Sequence, residues 1–310
     1  MVRNITLGLI QMSMSTDKDA NLAKAVRMIG EAAKKGADIV CLPELFNVVY
    51  FPQEEKAQVE AEEIPGKTTA ALAEAAKSNR VVIVGGSIFE RDTTEKLGTR
   101  GKTTKNYNTT AVFDETGKML GTYRKIHVPH DENFYEQNYF EPGDLGFKTF
   151  KIGGKTQNSR PETQNSKQET ENWKLATLIC YDQWYPEAAR SVALMGAEIV
   201  FYPTAIGTVQ GIEQTEGDWH NSWETVMRGH AIANGMIVAA VNRVGTEGKM
   251  DFWGGSFVCD AFGKIIAKGS RDKEEVIIAK CDIDHGKSVR DGWRFFYNRR
   301  PETYGMLTKK

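Results

Sequence analysis

The sequence predicts a layered α/β fold, on three observations: a series of short, continuously apolar segments, helical periodicity between them, and enough length to bury a substantial core. At 310 residues, one large domain spanning residues 1–310 accounts for the whole chain. Apolar runs without period-two alternation suit strands covered on both faces. Their alternation with helices argues for a layered α/β fold.

The first strand-like segment runs from Ile5 to Ile10. A helix follows, with Leu22, Val26, Ile29 and Ala33 on one face, Lys34 and Lys35 in its last turn, and Gly36 placed to close it. The next strand, Asp38 to Leu42, carries Cys41 and ends at Pro43-Glu44. Val81 to Val84 and Thr109 to Phe113 read as further strands, with Lys96 to Lys105 a polar loop between them. Between Gly153 and Trp173 the chain loses almost all apolar character. This stretch contains a tandem near-repeat, Thr156 to Glu162 followed by Thr163 to Glu169. Such a segment cannot offset the entropy of its own ordering, so an exposed hairpin insertion is expected at about 154–173, joining strands near Phe150 and Leu175. The strand Leu175 to Ile179 stops abruptly at Cys180, and Pro186 is a good first residue for a helix ending near Gly196. Cys180 therefore sits in a strand-to-helix connection, where layered α/β folds collect reactive groups. Strands at Glu198–Tyr202, Ile237–Val241 and Val276–Ala279 and a helix from about Asp218 to Asn234 complete the pattern.

Acidic and basic residues nearly balance, for a formal net charge of -1. No basic block forms a stripe that could track phosphates, which argues against nucleic acid as a partner. No apolar stretch approaches membrane-spanning length and no secretory leader is visible, so a soluble cytoplasmic protein without a membrane partner is expected. The four cysteines are too few and too scattered for a disulfide framework or a structural zinc site. Free thiols are expected, with Cys41, Cys259 and Cys281 as small buried hydrophobes. His220 and His230 lack acidic partners in a metal-ligand arrangement, and no metal is expected.

Cys180 is the exception among the thiols. A cysteine is only partly ionised near neutrality, so attack on an amide needs a base or a nearby cation. Two other loops that follow apolar segments offer these groups: Glu44 as base, and Lys125, in Tyr123-Arg124-Lys125-Ile126-His127, as the stabiliser of a negative oxygen. The backbone N–H of Tyr181 is the expected second oxyanion donor, and a well-placed donor of this kind is worth roughly 3 to 4 kcal/mol.

In this chain order the three motifs resemble the carbon-nitrogen hydrolase (nitrilase) superfamily. The likeness begins at Leu9-Ile10-Gln11-Met12 and extends through Pro43-Glu44-Leu45-Phe46 to Ala197–Ala205 and Arg299-Arg300-Pro301-Glu302. The resemblance implies a four-layer αββα sandwich and homo-oligomers, either a dimer paired across a helix-bearing surface or an assembly of dimers. It also implies no metal or organic cofactor, with Glu44 as general base, Lys125 as oxyanion stabiliser and Cys180 as nucleophile. A second carboxylate that orients the lysine falls on Glu136, in Phe134–Phe140, in preference to Glu132. Within the superfamily, Cys180–Arg190, Tyr202–Gly207 and the stretch from His220 to His230 are similar to the N-carbamoylputrescine amidohydrolases of polyamine synthesis. Asp182 and Trp184 then suit a cationic alkylamine, with Glu187 and Asp218 as candidates for its distal ammonium. Tyr107, Trp184, Trp219 and Trp253 are candidate lining residues. The competing expectations are a relative acting on β-ureidopropionate or an ω-amide and, from a different class, a catalytically silent scaffold.

Overall fold

A computed structural model describes residues 3–95, 102–153 and 173–309. The tandem near-repeat, and the expected insertion as far as residue 172, lie outside the described residues. In the first half, β1 (Asn4–Gln11) leads into α1 (Lys18–Lys34), β2 (Ile39–Cys41), α2 (Lys67–Asn79), β3 (Val82–Val84), β4 (Ile88–Glu95), β5 (Lys102–Phe113) and β6 (Met119–Arg124). In the second, β7 (Phe150–Ile152), β8 (Trp173–Thr177), α3 (Pro186–Leu194), β9 (Ile199–Thr204), β10 (Gly207–Val209), α4 (Trp219–Asn234) and β11 (Ile237–Asn242) come in turn. The chain continues through β12 (Val244–Glu247), β13 (Met250–Trp253), β14 (Phe257–Cys259), β15 (Ile265–Lys268), β16 (Glu275–Asp282) and α5 (Ile283–Trp293).

Two large sheets result. The seven-stranded sheet has the order β16-β1-β2-β3-β5-β4, with β6 also paired to β5, and the six-stranded sheet has the order β15-β14-β11-β9-β8-β7. Their centres, β1-β2-β3 and β8-β9-β11, are parallel. A small sheet, β10-β13-β12, lies apart from both.

Side-chain alternation along the strands builds the layers. Ile5, Leu7 and Leu9 of β1 share one buried cluster with Leu175, Ile199, Phe201, Ile237 and Ala239 of the other sheet. The opposite face of the first sheet, with Ile10, Val40 and Ile83, packs on Leu22, Met28, Ile29, Leu72 and Ala76 of α1 and α2. Ala176, Val200, Tyr202 and Val238 face Ala189 and Val192 of α3 and Trp223 and Met227 of α4. The architecture is therefore the expected αββα sandwich. Strands buried on both faces explain why they read as continuous apolar runs.

Two local expectations are corrected. The buried face of α1 comprises Asn21, Leu22, Ala25, Met28, Ile29 and Ala32, while Val26 and Ala33 pack only at its flank. The face turns because the Asn21 amide is buried, donating to the carbonyls of Ser15 and Asn47, and an apolar period cannot register a buried amide. The expected loop from Lys96 to Lys105 is shorter, since Lys102 to Lys105 belong to β5. Asp92 pairs there with Lys105 and Thr93 with Thr104, in a polar extension of the β4/β5 hairpin. Gly36 closes α1 as expected, at φ +88°, a conformation that favours glycine. No helix among the described residues is long and apolar enough to cross a membrane.

Candidate active site

Three connections that leave strand ends carry the candidate residues. Glu44 follows β2, in a loop where Leu45 adopts φ +46°. The Leu45 N–H donates to Ser87 Oγ at 3.0 Å, and Gly86 approaches so closely that a Cβ there would lie 2.2 Å from the Pro43 carbonyl oxygen. From the other side comes Arg243, fully buried. One arm of its guanidinium donates to the carbonyls of Glu44, Leu45 and Val48 at 2.9, 2.7 and 3.1 Å, and the other grips Glu247 at 2.9 and 2.7 Å. Lys125 follows β6, pinned by its own N–H to the Asn108 carbonyl and by its carbonyl to the Gly143 N–H, both at 2.8 Å. Cys180 follows β8 and opens a 3₁₀ turn, Cys180–Trp184. Its φ of +42° is uncommon for a residue with a side chain, and such strain clusters at functional sites.

The fold brings these loops together. Lys125 Nζ donates to Glu44 Oε1 at 2.9 Å and to both oxygens of Glu136 at 2.9 and 2.7 Å. None of the three side chains is more than 1% exposed. Asn108 Nδ2 donates to the same Glu44 oxygen at 2.8 Å, and the Tyr50 hydroxyl donates to Glu136 at 3.0 Å. Glu44 Oε2 is buried and has no hydrogen-bond partner among the described residues. Cys180, 9% exposed, has its sulfur 3.9 Å from the Ala205 carbonyl oxygen.

The electrostatics follow from burial. Removal from water disfavours the Lys125 ammonium, but Glu136 and Glu44 outweigh that cost and hold the amine above its ordinary value. Burial pushes Glu136 up to about 7, with Lys125 opposing and Glu44 reinforcing the shift. Burial, then the Glu44 charge, push the Cys180 thiol well above its usual value, although Lys125 pulls the other way. Burial and the Glu44 charge thus oppose ionisation of the Cys180 thiol, and Lys125 favours it. Among the described residues no group of His, Cys, Asp or Glu side chains is arranged to hold a metal ion.

A family model for carbon-nitrogen hydrolases matches residues 6–291. The chain belongs to the carbon-nitrogen hydrolase family. It is 37% identical to a protein of Arabidopsis thaliana named N-carbamoylputrescine amidase, over 98% of this chain and 95% of the relative. A Francisella tularensis protein named citrullinase is 34% identical over 99% of each. The crystal structure of a carbon-nitrogen hydrolase from Helicobacter pylori superposes with a TM-score of 0.85, at 35% identity and 99% coverage of both chains.

Within this carbon-nitrogen hydrolase fold, Glu44, Lys125 and Glu136 form one hydrogen-bonded cluster, and their charges are those that act on Cys180. Glu132 is exposed and lines a separate cavity of about 420 Å³ with Gln53, Glu54 and Lys249. The expected substrate contacts fare differently. Tyr107 neighbours Asn108 on β5, and because successive strand residues point to opposite faces, its ring turns away from Glu44. It lies 3.9 Å from the Arg124 guanidinium and its hydroxyl donates to Asp144. Asp182 is fully buried, and its carboxylate is committed to Tyr123, Ile179 and His127, so it is not an open wall for an ammonium. Asp218 caps α4, accepting from the Asn221 N–H at 2.9 Å. Glu187 is exposed in the first turn of α3, where the helix dipole favours a carboxylate. Trp184 stands 36% exposed at the end of the turn that Cys180 opens. Trp219 donates to Glu216, and Trp253 packs against His220 and Trp223. His127 is hydrogen-bonded as a structural residue.

Asn108, Tyr50 and Arg243 are the contributors that sequence reasoning missed. For Asn108 a signal existed: Asn108-Thr109-Thr110 is a polar run opening a strand core, and all three are fully buried. Buried polar groups persist where something bonds them.

Proposed function

We propose that the chain hydrolyses N-carbamoylputrescine to putrescine, carbon dioxide and ammonia through a carbamoyl thioester on Cys180. The observation that carries the chemistry is one buried cluster in which Lys125 bridges Glu44 and Glu136, one Glu44 oxygen, Oε2, has no partner among the described residues, and the cluster's charges act on a buried Cys180 thiol whose ionisation burial opposes. Such a thiol needs a base at the moment of attack. Glu44 takes the proton as the sulfur adds to the ureido carbonyl carbon, and Lys125 with the Tyr181 N–H holds the resulting oxyanion. Collapse breaks the carbon–nitrogen bond, and the amine leaves with the proton returned by Glu44. Water, deprotonated by Glu44, then adds to the thioester and releases carbamate, which falls to carbon dioxide and ammonia. Glu136 keeps Lys125 aimed at the reacting centre.

The substrate assignment draws on the naming of the Arabidopsis relative and on charge. Two carboxylates around one ammonium leave a negative excess once Glu136 is ionised, which attracts a cationic amine and repels a carboxylate. Both oxygens of Asp182 are committed to its own hydrogen bonds, so the distal ammonium falls to another group. The second reading is citrulline, which carries an ammonium beside a carboxylate, on the naming of the Francisella relative as citrullinase.

Ammonia and amine release across carbamoylputrescine, citrulline, β-ureidopropionate and an ω-amide tests the assignment. The expected kcat/KM for carbamoylputrescine exceeds that for β-ureidopropionate by about 100-fold or more, since a like-charge contact costs several kcal/mol. Preference for the carboxylate would overturn the substrate while sparing the amide chemistry. The same assay read against pH should rise through about 7, because Glu136 is protonated below that value and pairs fully with Lys125 only above it.

Homodimerisation is part of the proposal. Ile232 on α4, Phe262 and Trp293 are exposed, with the Phe262 and Trp293 rings 5.9 Å apart and the Ile232 side chain against Gly263. An apolar surface of this kind beside the outer helices suits a second copy. Light scattering at micromolar concentration should give twice the chain mass or an even multiple of it; a monomer would contradict the pairing.

A further inference from the structure

Asp182 lies two positions beyond the nucleophile, yet its carboxylate reaches both catalytic loops. Oδ1 accepts from the His127 N–H at 3.0 Å and from His127 Nδ1 at 2.7 Å. Oδ2 accepts from the Tyr123 hydroxyl at 2.7 Å and from the Ile179 N–H at 2.9 Å. Tyr123 and His127 bracket Lys125, and Ile179 immediately precedes Cys180. A single buried side chain thus ties the loop of the cation to the loop of the thiol, with two donors on each oxygen. We propose that Asp182 is a positioning residue that fixes the Lys125 ammonium relative to the Cys180 sulfur; the inference deepens the amidohydrolase reading and rests on it.

Two further observations fit this role. Cys180 holds its φ of +42° between two contacts of the same residue: the Asp182 carboxylate on the Ile179 N–H, and the Asp182 N–H on the Ile179 carbonyl at 3.0 Å. A strained conformation persists only when its surroundings over-determine it. The His127 ring stacks on Tyr185 with centroids 3.6 Å apart and planes 9° apart, which fixes the imidazole so that Nδ1, facing a carboxylate, carries the proton. Tyr185 in turn donates its N–H to the Asp182 carbonyl at 3.2 Å. The tie is therefore clamped from both sides.

Asp182→Asn tests it, since the isosteric amide places a donor where two donors already point. Iodoacetamide alkylation of Cys180 is followed by peptide mapping against pH, normalised to folded protein, for wild type, Asp182→Asn and Tyr123→Phe. Loosening the tie moves Lys125 from the sulfur, so the alkylation midpoint should shift to higher pH. In turnover, kcat should fall about 100-fold, the scale of a misplacement near 1 Å, with KM within about threefold. Loss of folded protein alone would leave both the midpoint and the kcat per active site unchanged. An unchanged midpoint and kcat in folded Asp182→Asn overturns the proposal. If that variant does not fold, Tyr123→Phe, which removes one donor of four, decides in the same way, with an expected kcat loss of about tenfold. Should the wild type hydrolyse no amide or ureide, the functional reading fails, and the alkylation profile still decides the tie.

Discussion

Cys180→Ala should abolish hydrolysis and leave the fold intact. Without the sulfur there is no atom on which the carbamoyl group can rest, and loss of a nucleophile costs about 10⁴-fold or more in kcat. The structural cost is small by comparison. Alanine at φ +42° is no more strained than cysteine, and the excised sulfur leaves a cavity worth about 1 kcal/mol. Ammonia release and a thermal melt on the same sample separate the two effects. Activity near the wild-type level in folded Cys180→Ala would refute the covalent scheme.

Lys125→Met is expected to damage both stability and rate. Lys125 is the cation between Glu44 and Glu136, all of them buried. Breaking a buried ion pair by removing one partner costs about 3 to 5 kcal/mol, because the other charge is left uncompensated. The sign of the pH dependence follows from Glu136. With the ammonium present, its carboxyl is already raised to about 7 from an ordinary 4.5, and without it the carboxyl rises further. A carboxyl raised on folding favours the folded state at low pH, and that contribution is lost as pH climbs through the folded value. The deficit of Lys125→Met in denaturant unfolding should therefore be larger at pH 8 than at pH 5. Turnover should fall about 10² to 10³-fold with loss of the oxyanion donor. A variant as stable as wild type at pH 8 would show that the cluster is not held by charge.

The parts of the fold legible in the sequence were those whose own residues dictate them. β1, β2, β3, β8, β9 and β11 are buried on both faces, so composition alone marks them. β10, β12 and β15 are three or four residues long, and pairing with neighbours defines them more than composition does. The polar end of β5 was hidden for the same reason, since its cross-strand partners on β4 make it a strand. At the site, Glu44, Lys125 and Cys180 were legible as candidates because each follows an apolar segment, and Glu136 through the resemblance of Phe134–Phe140 to the superfamily, the aromatic residues around it favouring it over Glu132. Arg243 was not, because its partners at Glu44, Leu45 and Val48 lie some two hundred positions earlier. Asp182 misled because a carboxylate near a reactive thiol looks alike in sequence whether it binds a ligand or holds donors of its own fold. Only the donors around it distinguish the two.

The most direct test is the mass of the intact protein quenched during turnover of a carbamoylated amine. Wild type should gain one carbamoyl group, mapped to the peptide containing Cys180, and the increment should vanish in Cys180→Ala and once substrate is exhausted. Amine and ammonia release without any such adduct, or an adduct on a different residue, would contradict the account.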